Sequence, residues 1–373
     1  GNYLKGKFGT IGALNAFYGV SEDSFEHIAL PGSTKGYWDV FEFKMFKSGP
    51  CIYDNLKFVY DAIRVYDKER PIISHVGGTC GFQLQLGDLC NDFVASKAVD
   101  GWGTSLPLST CMGSRQERLE YNRLHDFLRC VDPNYFIYEI YPGLGIFAGQ
   151  YDSKWDMDYK LYSGLAWGTK GLNFWQYRAE RVGSELDCAG LVRADGSPRP
   201  PLASVREFGA TLKPLKDTIC GFYPKRAEVA VVFDYKSLLM SEIMEARHLQ
   251  GFGLVPDNAL FYYPYAHRGW YWLVRGGNRD VDYVNVGDIS RIKDYKVVCF
   301  PVYMMYDKAI TPVLEEYVEN GGIVLADEGF GLLQENTWMN PYDIPCGKVM
   351  TARLRERRLG ARSLPVGGRK PTT

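Results

Sequence analysis

No stretch of this chain approaches the run of about 18 apolar residues that a membrane-spanning helix needs. Nor does it carry a basic, then apolar, then small-residue segment of the kind that directs secretion. The nine cysteines, at 51, 80, 90, 111, 130, 188, 220, 299 and 346, form no C-x-x-C pair, and none of the five histidines stands at metal-ligand spacing. A zinc site is therefore not expected, and the cysteines read as buried or free thiols of a reducing, cytoplasmic compartment. Charge of either sign is not in excess: 43 Lys and Arg against 44 Asp and Glu leave a net charge of -1. That balance offers no global field for nucleic acid or an anionic membrane, so neither is expected as a partner, and no cofactor is implied.

What the chain does have is apolar and aromatic content. Its 373 residues, 46% apolar, suffice for about two domains, and the 14% of aromatics suits a cleft that binds flat apolar faces as well as a filled core. NYLKGKFGTIGALNAFYG reads as one helix with its end, followed by a polar loop over 20–36. Residues 38–68 repeat Val40, Phe43, Phe46, Leu56, Val59, Ile63 and Tyr66 at helical period, as one long helix bent near Gly49-Pro50. Four apolar strands follow, in PIISHVGG (71–78), VDGWGTSLP (99–107), YFIYEIYPG (135–143) and GLNFWQYR (171–178). Helices are expected between and after them, over 90–96, 115–130, 156–168 and 206–215. Strands this apolar, separated by connections too long for hairpins, imply a parallel sheet covered by helices. Four such strands are either a small open sheet or the second half of a (β/α)₈ barrel, and the start inside a helix favours the half barrel.

Near Pro224 the pattern restarts. RAEVAVVFDY, VDYVNVGD and DYKVVCFPVYMMY read as strands, and TPVLEEYVENGGIVLADEG as a helix, a Gly-Gly turn and a fourth strand, which resembles a flavodoxin-like α/β layer. The expected organisation is a partial TIM-barrel domain over 1–222 (about strands five to eight), a flavodoxin-like domain over 223–347, and a basic tail over 348–373. That tail holds six Arg, one Lys and one Glu from Thr351 onward and reads as a solvated end.

In a parallel barrel the C-terminal ends of the strands converge on one opening. His75, Trp102 with Ser105, Glu139, and Trp175 to Arg178 occupy those ends. One carboxylate, one guanidinium and several aromatics on one opening describe a sugar site. The structural alternatives are a structural ion pair of Glu139, for example with Arg178, a satisfied core histidine at 75, and packing roles for Trp102 and Trp175. Strict alternation would put Phe136, Tyr138 and Ile140 on one face of their strand and Ile137 and Glu139 on the other.

The order of these segments resembles glycoside hydrolase family 42, the β-galactosidases. FGTIGALNAFYG is similar to the family's Y-G-T-x-x-A-L-N segment and WDVFEFKMF to its W-x-x-F-x-R-F helix; FIYEIYPG, GLNFWQYRAERVGSE, AEVAVVFDY and YVENGGIVL follow in family order. The resemblance implies a (β/α)₈ barrel followed by a trimerisation domain, a homotrimer, and hydrolysis of terminal β-D-galactosyl residues. It implies Glu139 as the nucleophile, and Phe147, Trp175, Arg178 and Glu185 as sugar contacts, with Trp102 and His75 beside them.

Departures from the family pattern fall at Cys188, where the family has His, at Ile140, where it has Gln, and in W-G-T-S-L-P at 102–107. In that loop Leu106 stands near the place of a Tyr that would hydrogen-bond the nucleophile. The N-E-Y-G motif that carries the acid/base carboxyl is absent; by family spacing it falls before Gly1, with the cysteine cluster that some members use for zinc. The chain is accordingly expected to be the C-terminal portion of such an enzyme, inactive alone. The alternative is a non-catalytic carbohydrate-binding or assembly protein derived from one. An amidotransferase-like site in the second domain is disfavoured, because Cys299 lies inside the strand VVCFP and not on a sharp turn.

Overall fold

In the computed structural model, which describes residues 1–29, 37–80, 90–106, 112–144, 150–183, 186–187, 189–251, 262–327 and 329–339, the opening segment folds as two helices and not one. They are α1 (Asn2–Phe8) and α2 (Ile11–Tyr18). Gly9, at φ 72°, ends the first, and the Thr10 hydroxyl caps the second by accepting from the Ala13 N–H. Where one long helix, bent near Gly49-Pro50, is expected, the segment is divided near Pro50. Helix α3 (Trp38–Phe46) passes through a wide π-helical turn over Lys47–Cys51 into α4 (Ile52–Tyr66). Pro50 has no N–H to give to a regular α-turn, which places the irregularity there.

Four strands, β1 (Ile73–Val76), β2 (Gly101–Leu106), β3 (Phe136–Ile140) and β4 (Gly171–Phe174), form one sheet in sequential order, every pair parallel. Helix α5 (Arg115–Val131) crosses from β2 to β3 and α6 (Lys154–Ala166) from β3 to β4; α7 (Pro201–Leu212) follows. Capping boxes at Ser114–Glu117 and Ser153–Asp156 start the two crossover helices. Tyr121, Leu124 and Leu128 of α5 pack with Met157 and Leu161 of α6 against Ile137 and Ile140 of β3. One face of the sheet is thereby covered by helices.

On the other face three glycines make room for one ring. A Cβ on Gly101 or Gly171 would lie 3.1 or 2.1 Å from the ring of Phe136, and one on Gly103 would lie 2.5 Å from the Phe136 carbonyl oxygen. That last neighbour is backbone and cannot turn aside. Gly103→Ala is therefore expected to lose about 1–3 kcal/mol by overpacking, read as a lower urea midpoint.

A second parallel sheet contains β5 (Val229–Phe233), β6 (Val281–Asn285), β7 (Val297–Phe300) and β8 (Ile323–Ala326), in the spatial order β8-β7-β5-β6. Helices α8 (Tyr235–Gly251) and α9 (Tyr262–Gly276) lie between β5 and β6, and α10 (Thr311–Glu319) precedes β8. The sequence reading assigned neither α8 nor α9. The buried residues of α9 include Tyr263, His267 and Tyr271, spaced four apart but without an aliphatic stripe. The two sheets share a core: Phe93 and Phe127 of the first unit meet the Phe233 ring, and Phe127 meets Tyr283. The basic tail over 348–373 lies outside the described residues.

Candidate active site

Glu139 stands at the C-terminal end of β3, and a bulge puts it there. Thr104 pairs with Ile137 but the next residue, Ser105, pairs with Glu139; on the other side Ile137 pairs with Leu172 and Ile140 with Phe174. β3 thus carries one residue more than either neighbour. Strict alternation fails at that point. Ile137 and Ile140 are both wholly buried in the helix-covered cluster, so Ile140 does not share a face with Phe136 and Tyr138. Tyr138 and Glu139, although adjacent, both meet His75.

The His75 ring stacks on Tyr138, with centroids 4.4 Å apart and planes at 3°, and its Nε2 lies 3.8 Å from Glu139 Oε1. His75 on β1 reaches β3 across β2 because its register partner there is Gly103, which has no side chain in the way. The other carboxylate oxygen, Glu139 Oε2, accepts a hydrogen bond from the Tyr141 hydroxyl at 3.0 Å. The Glu139 side chain is 22% exposed, so its charge is met by water on one side and by these groups on the other. Glu139 does not pair with Arg178, whose guanidinium donates to the Ala194 carbonyl at 2.9 and 3.1 Å; the side chain that faces the carboxylate is His75.

Tyr141 was not singled out in the sequence, although residues two apart on a strand share a face and the signal was available. Its backbone is held as firmly as its phenol. Lys160 Nζ donates to the Tyr141 carbonyl at 3.2 Å and to Asp152 Oδ2 at 2.7 Å; both charged side chains are buried. Burial pushes the Asp152 carboxyl up to about 7, against the downward pull of Lys160.

Trp102 does not belong to this opening. Its register partner is Ser74, one residue out of phase with the His75–Gly103 pair, so it faces the helices. It is 2% exposed, packs with Cys90 and Ala95, and donates its indole N–H to Asp92 at 2.7 Å. Trp175 follows β4, half-buried, with its N–H on the Ile140 carbonyl at 3.0 Å, beside the bulged strand end. Phe147, Glu185, Cys188 and the loop after Leu106 lie outside the described residues. At Asp187, two residues beyond Glu185 in the sequence, a clamp is in place: Arg199 pairs with the Asp187 carboxylate, donates to the Gly190 carbonyl and lies over the Tyr151 ring, whose hydroxyl donates to Asp187.

The second sheet offers no comparable chemistry at Cys299. Burial pushes that thiol up to about 12, which keeps it from forming the nucleophilic thiolate. A sharp turn does exist three residues on, contrary to expectation, at Val302 with φ 46°. Its occupant is a wholly buried valine whose N–H is held by both oxygens of Asp327, at 3.0 and 2.9 Å. Among the described residues no group of three or more His, Cys, Asp or Glu could hold a metal ion.

The β-galactosidase family model matches residues 1–215, more than half of the chain, and the model of the β-galactosidase trimerisation domain matches residues 227–350. The chain belongs to glycoside hydrolase family 42. Its family 42 relatives include the β-galactosidase LacZ of Heyndrickxia coagulans, 25% identical over an alignment of 353 positions that covers 90% of this chain and 48% of that protein. A polyextremophilic β-galactosidase from the Antarctic haloarchaeon Halorubrum lacusprofundi shares the fold with a TM-score of 0.76 and 22% identity, over 94% of this chain and 52% of that one. The β-galactosidase from Bacillus circulans sp. alkalophilus does so with a TM-score of 0.74 and 20% identity, over 92% and 50%. This family 42 chain thus spans about half the length of the relatives it matches.

Proposed function

We propose that this chain supplies the nucleophile and part of the sugar subsite of a retaining β-galactosidase, with Glu139 attacking the anomeric carbon. The observation that carries the reading is the Glu139 carboxylate itself. It sits at the C-terminal end of a parallel strand, partly open to water, turned outward by a bulge and fixed through one oxygen by Tyr141. In such a reaction a Glu139 oxygen bonds to C1 of a terminal β-D-galactosyl residue as the C1–O bond to the aglycone breaks. A second carboxyl, about 5 to 5.5 Å away in retaining enzymes, protonates the leaving oxygen and then activates water.

On this reading residues 1–222 are the second half of a (β/α)₈ barrel, an assignment supported by the sequential strand order β1-β2-β3-β4. Residues 223–347 are a flavodoxin-like trimerisation domain. The order β8-β7-β5-β6 supports this, because in chain order it reads 2-1-3-4 from the other edge. Trp175, Arg178, Phe147 and Glu185 complete the galactose contacts, His75 flanks them, and the functional assembly is a cytoplasmic homotrimer. The acid/base carboxyl comes from outside this chain, which alone does not turn over a galactoside whose leaving group needs protonation.

The test exploits that division of labour. 2,4-Dinitrophenyl 2-deoxy-2-fluoro-β-D-galactopyranoside has a leaving group that departs as the phenolate without an acid, so the first step needs only the nucleophile. Mass spectrometry of the treated chain is expected to find one fluorogalactosyl group on the peptide holding Glu139, while 4-nitrophenyl β-galactoside is not hydrolysed above the buffer rate. A chain that binds galactose but is never labelled would instead be the non-catalytic carbohydrate-binding protein.

A further inference from the structure

We propose that the buried ion pair Lys160–Asp152 is a positioning device for Glu139, acting through Tyr141. This deepens the reading of Glu139 as nucleophile and rests on it. Burying a cation with its counterion is costly, and apolar residues of like volume would fill the same space at least as well. What an apolar pair could not do is hold a backbone carbonyl. Lys160 Nζ, beyond its 2.7 Å contact with Asp152 Oδ2, donates to the Tyr141 carbonyl at 3.2 Å, and the Asp152 N–H donates to the next carbonyl, that of Pro142, at 3.0 Å. The ammonium therefore grips the Tyr141 carbonyl where β3 ends, next to a backbone bond to Pro142 that any residue at 152 except proline could make.

Lys160 is itself anchored. It lies within α6, and its own carbonyl accepts from the Tyr121 hydroxyl of α5 at 2.9 Å. Helices α5 and α6 are thus connected, through a single ammonium group, to the backbone of Tyr141, whose phenol reaches Glu139 Oε2 at 3.0 Å. His75 faces the other oxygen from β1. With the Tyr141 carbonyl held, the backbone from which the phenol reaches Glu139 Oε2 is fixed where β3 ends. Neither Lys160 nor Asp152 touches Glu139; their role is to position it.

Two readouts test this. One is the rate of labelling by the dinitrophenyl fluorogalactoside, resolved into affinity and the first-order step. The other is the carboxyl resonance of Glu139 in a chain labelled with ¹³C at glutamate Cδ. Tyr141→Phe removes a hydrogen bond to a charged group and is expected to slow the first-order step on the order of 10- to 100-fold, with affinity unchanged, and to move the resonance. The double replacement Lys160→Met with Asp152→Leu keeps the volume without the charges. It is expected to fold, to slow the same step on the order of tenfold, and to move the resonance in the same direction. A double variant that folds, labels at the wild-type rate and leaves the resonance in place overturns the proposal. If it does not fold, Lys160→Met with Asp152→Asn, which keeps the carboxyl's shape without its charge, gives the same comparison. If the wild type is not labelled at all, the nucleophile reading fails, and the resonance still decides: unmoved in the Lys160 variants, it overturns the positioning role.

Discussion

Glu139→Gln is expected to abolish capture by the fluorogalactosyl reagent completely. In an enzyme that joins this chain to its acid/base carboxyl, the same change should lower kcat by roughly four to six orders of magnitude. The amide is close to the carboxylate in shape and can still accept from Tyr141, so the fold and the strand bulge should persist. What it lacks is an anionic oxygen able to form an ester to C1. The complementary experiment replaces Glu139 by glycine and adds azide with 2,4-dinitrophenyl β-galactoside. The small anion then enters the space the side chain vacated, the C1–N bond forms as the C1–O bond to the phenolate breaks, and the product is α-galactosyl azide. That product identifies the face from which Glu139 attacks. Labelling that persists in Glu139→Gln, on another residue, would remove Glu139 from the chemistry.

How much of this site was legible in the sequence differs residue by residue. Glu139 was visible because an apolar strand ending in one carboxylate is unusual, and His75 because it stands near the end of another strand of the same sheet. The error at Trp102 was one of parity. Ser74 and Trp102 are register partners, as are His75 and Gly103, so a tryptophan one residue before Gly103 must face the helices. The bulge was not legible, because it is defined by the pairing of β3 with β2 and β4 together and leaves no mark in YFIYEIYPG alone. The Lys160–Asp152 pair was hidden for a different reason. Charged residues in helices and loops are ordinarily solvated, and only the packed structure reveals that these two are not. Helix α9 was legible, since Tyr263, His267 and Tyr271 recur on one face at helical spacing; the aromatic residues there resemble strand formers as much as helix formers.

Asp126 is likewise a buried charge on a helix, and its replacement carries the largest stability effect expected here. It lies on the buried face of α5, 1% exposed, and its Oδ1 accepts from the Arg129 guanidinium at 2.7 and 3.0 Å and from the Trp167 indole at 2.8 Å. Its Oδ2 accepts from the Tyr271 hydroxyl at 2.7 Å, and Arg275 stands 3.5 Å away. Arg129 and Trp167 belong to the first unit, Tyr271 and Arg275 to the second, so one carboxylate joins the two. Arg129 extends the bond outward by pairing with Asp282 of β6 at 2.6 Å. Burial pushes the Asp126 carboxyl up while Arg129 and Arg275 pull it down.

Asp126→Ala would leave two guanidinium groups, a phenol and an indole N–H without this acceptor, at a cost of about 3–5 kcal/mol. Asp126→Asn, which keeps one oxygen for Arg129 and Trp167, is expected to cost less. Because the lost acceptor serves both units, urea unfolding of Asp126→Ala should begin at lower concentration in both. Fluorescence of Trp167 and Trp272, one in each unit, would follow it, the latter held by Glu120 across the same junction at 2.8 Å. If Asp126→Ala unfolds within about 1 kcal/mol of the wild type, the junction is held by the shared aromatic core around Phe127 and Phe233 and the ion pairs are incidental to it.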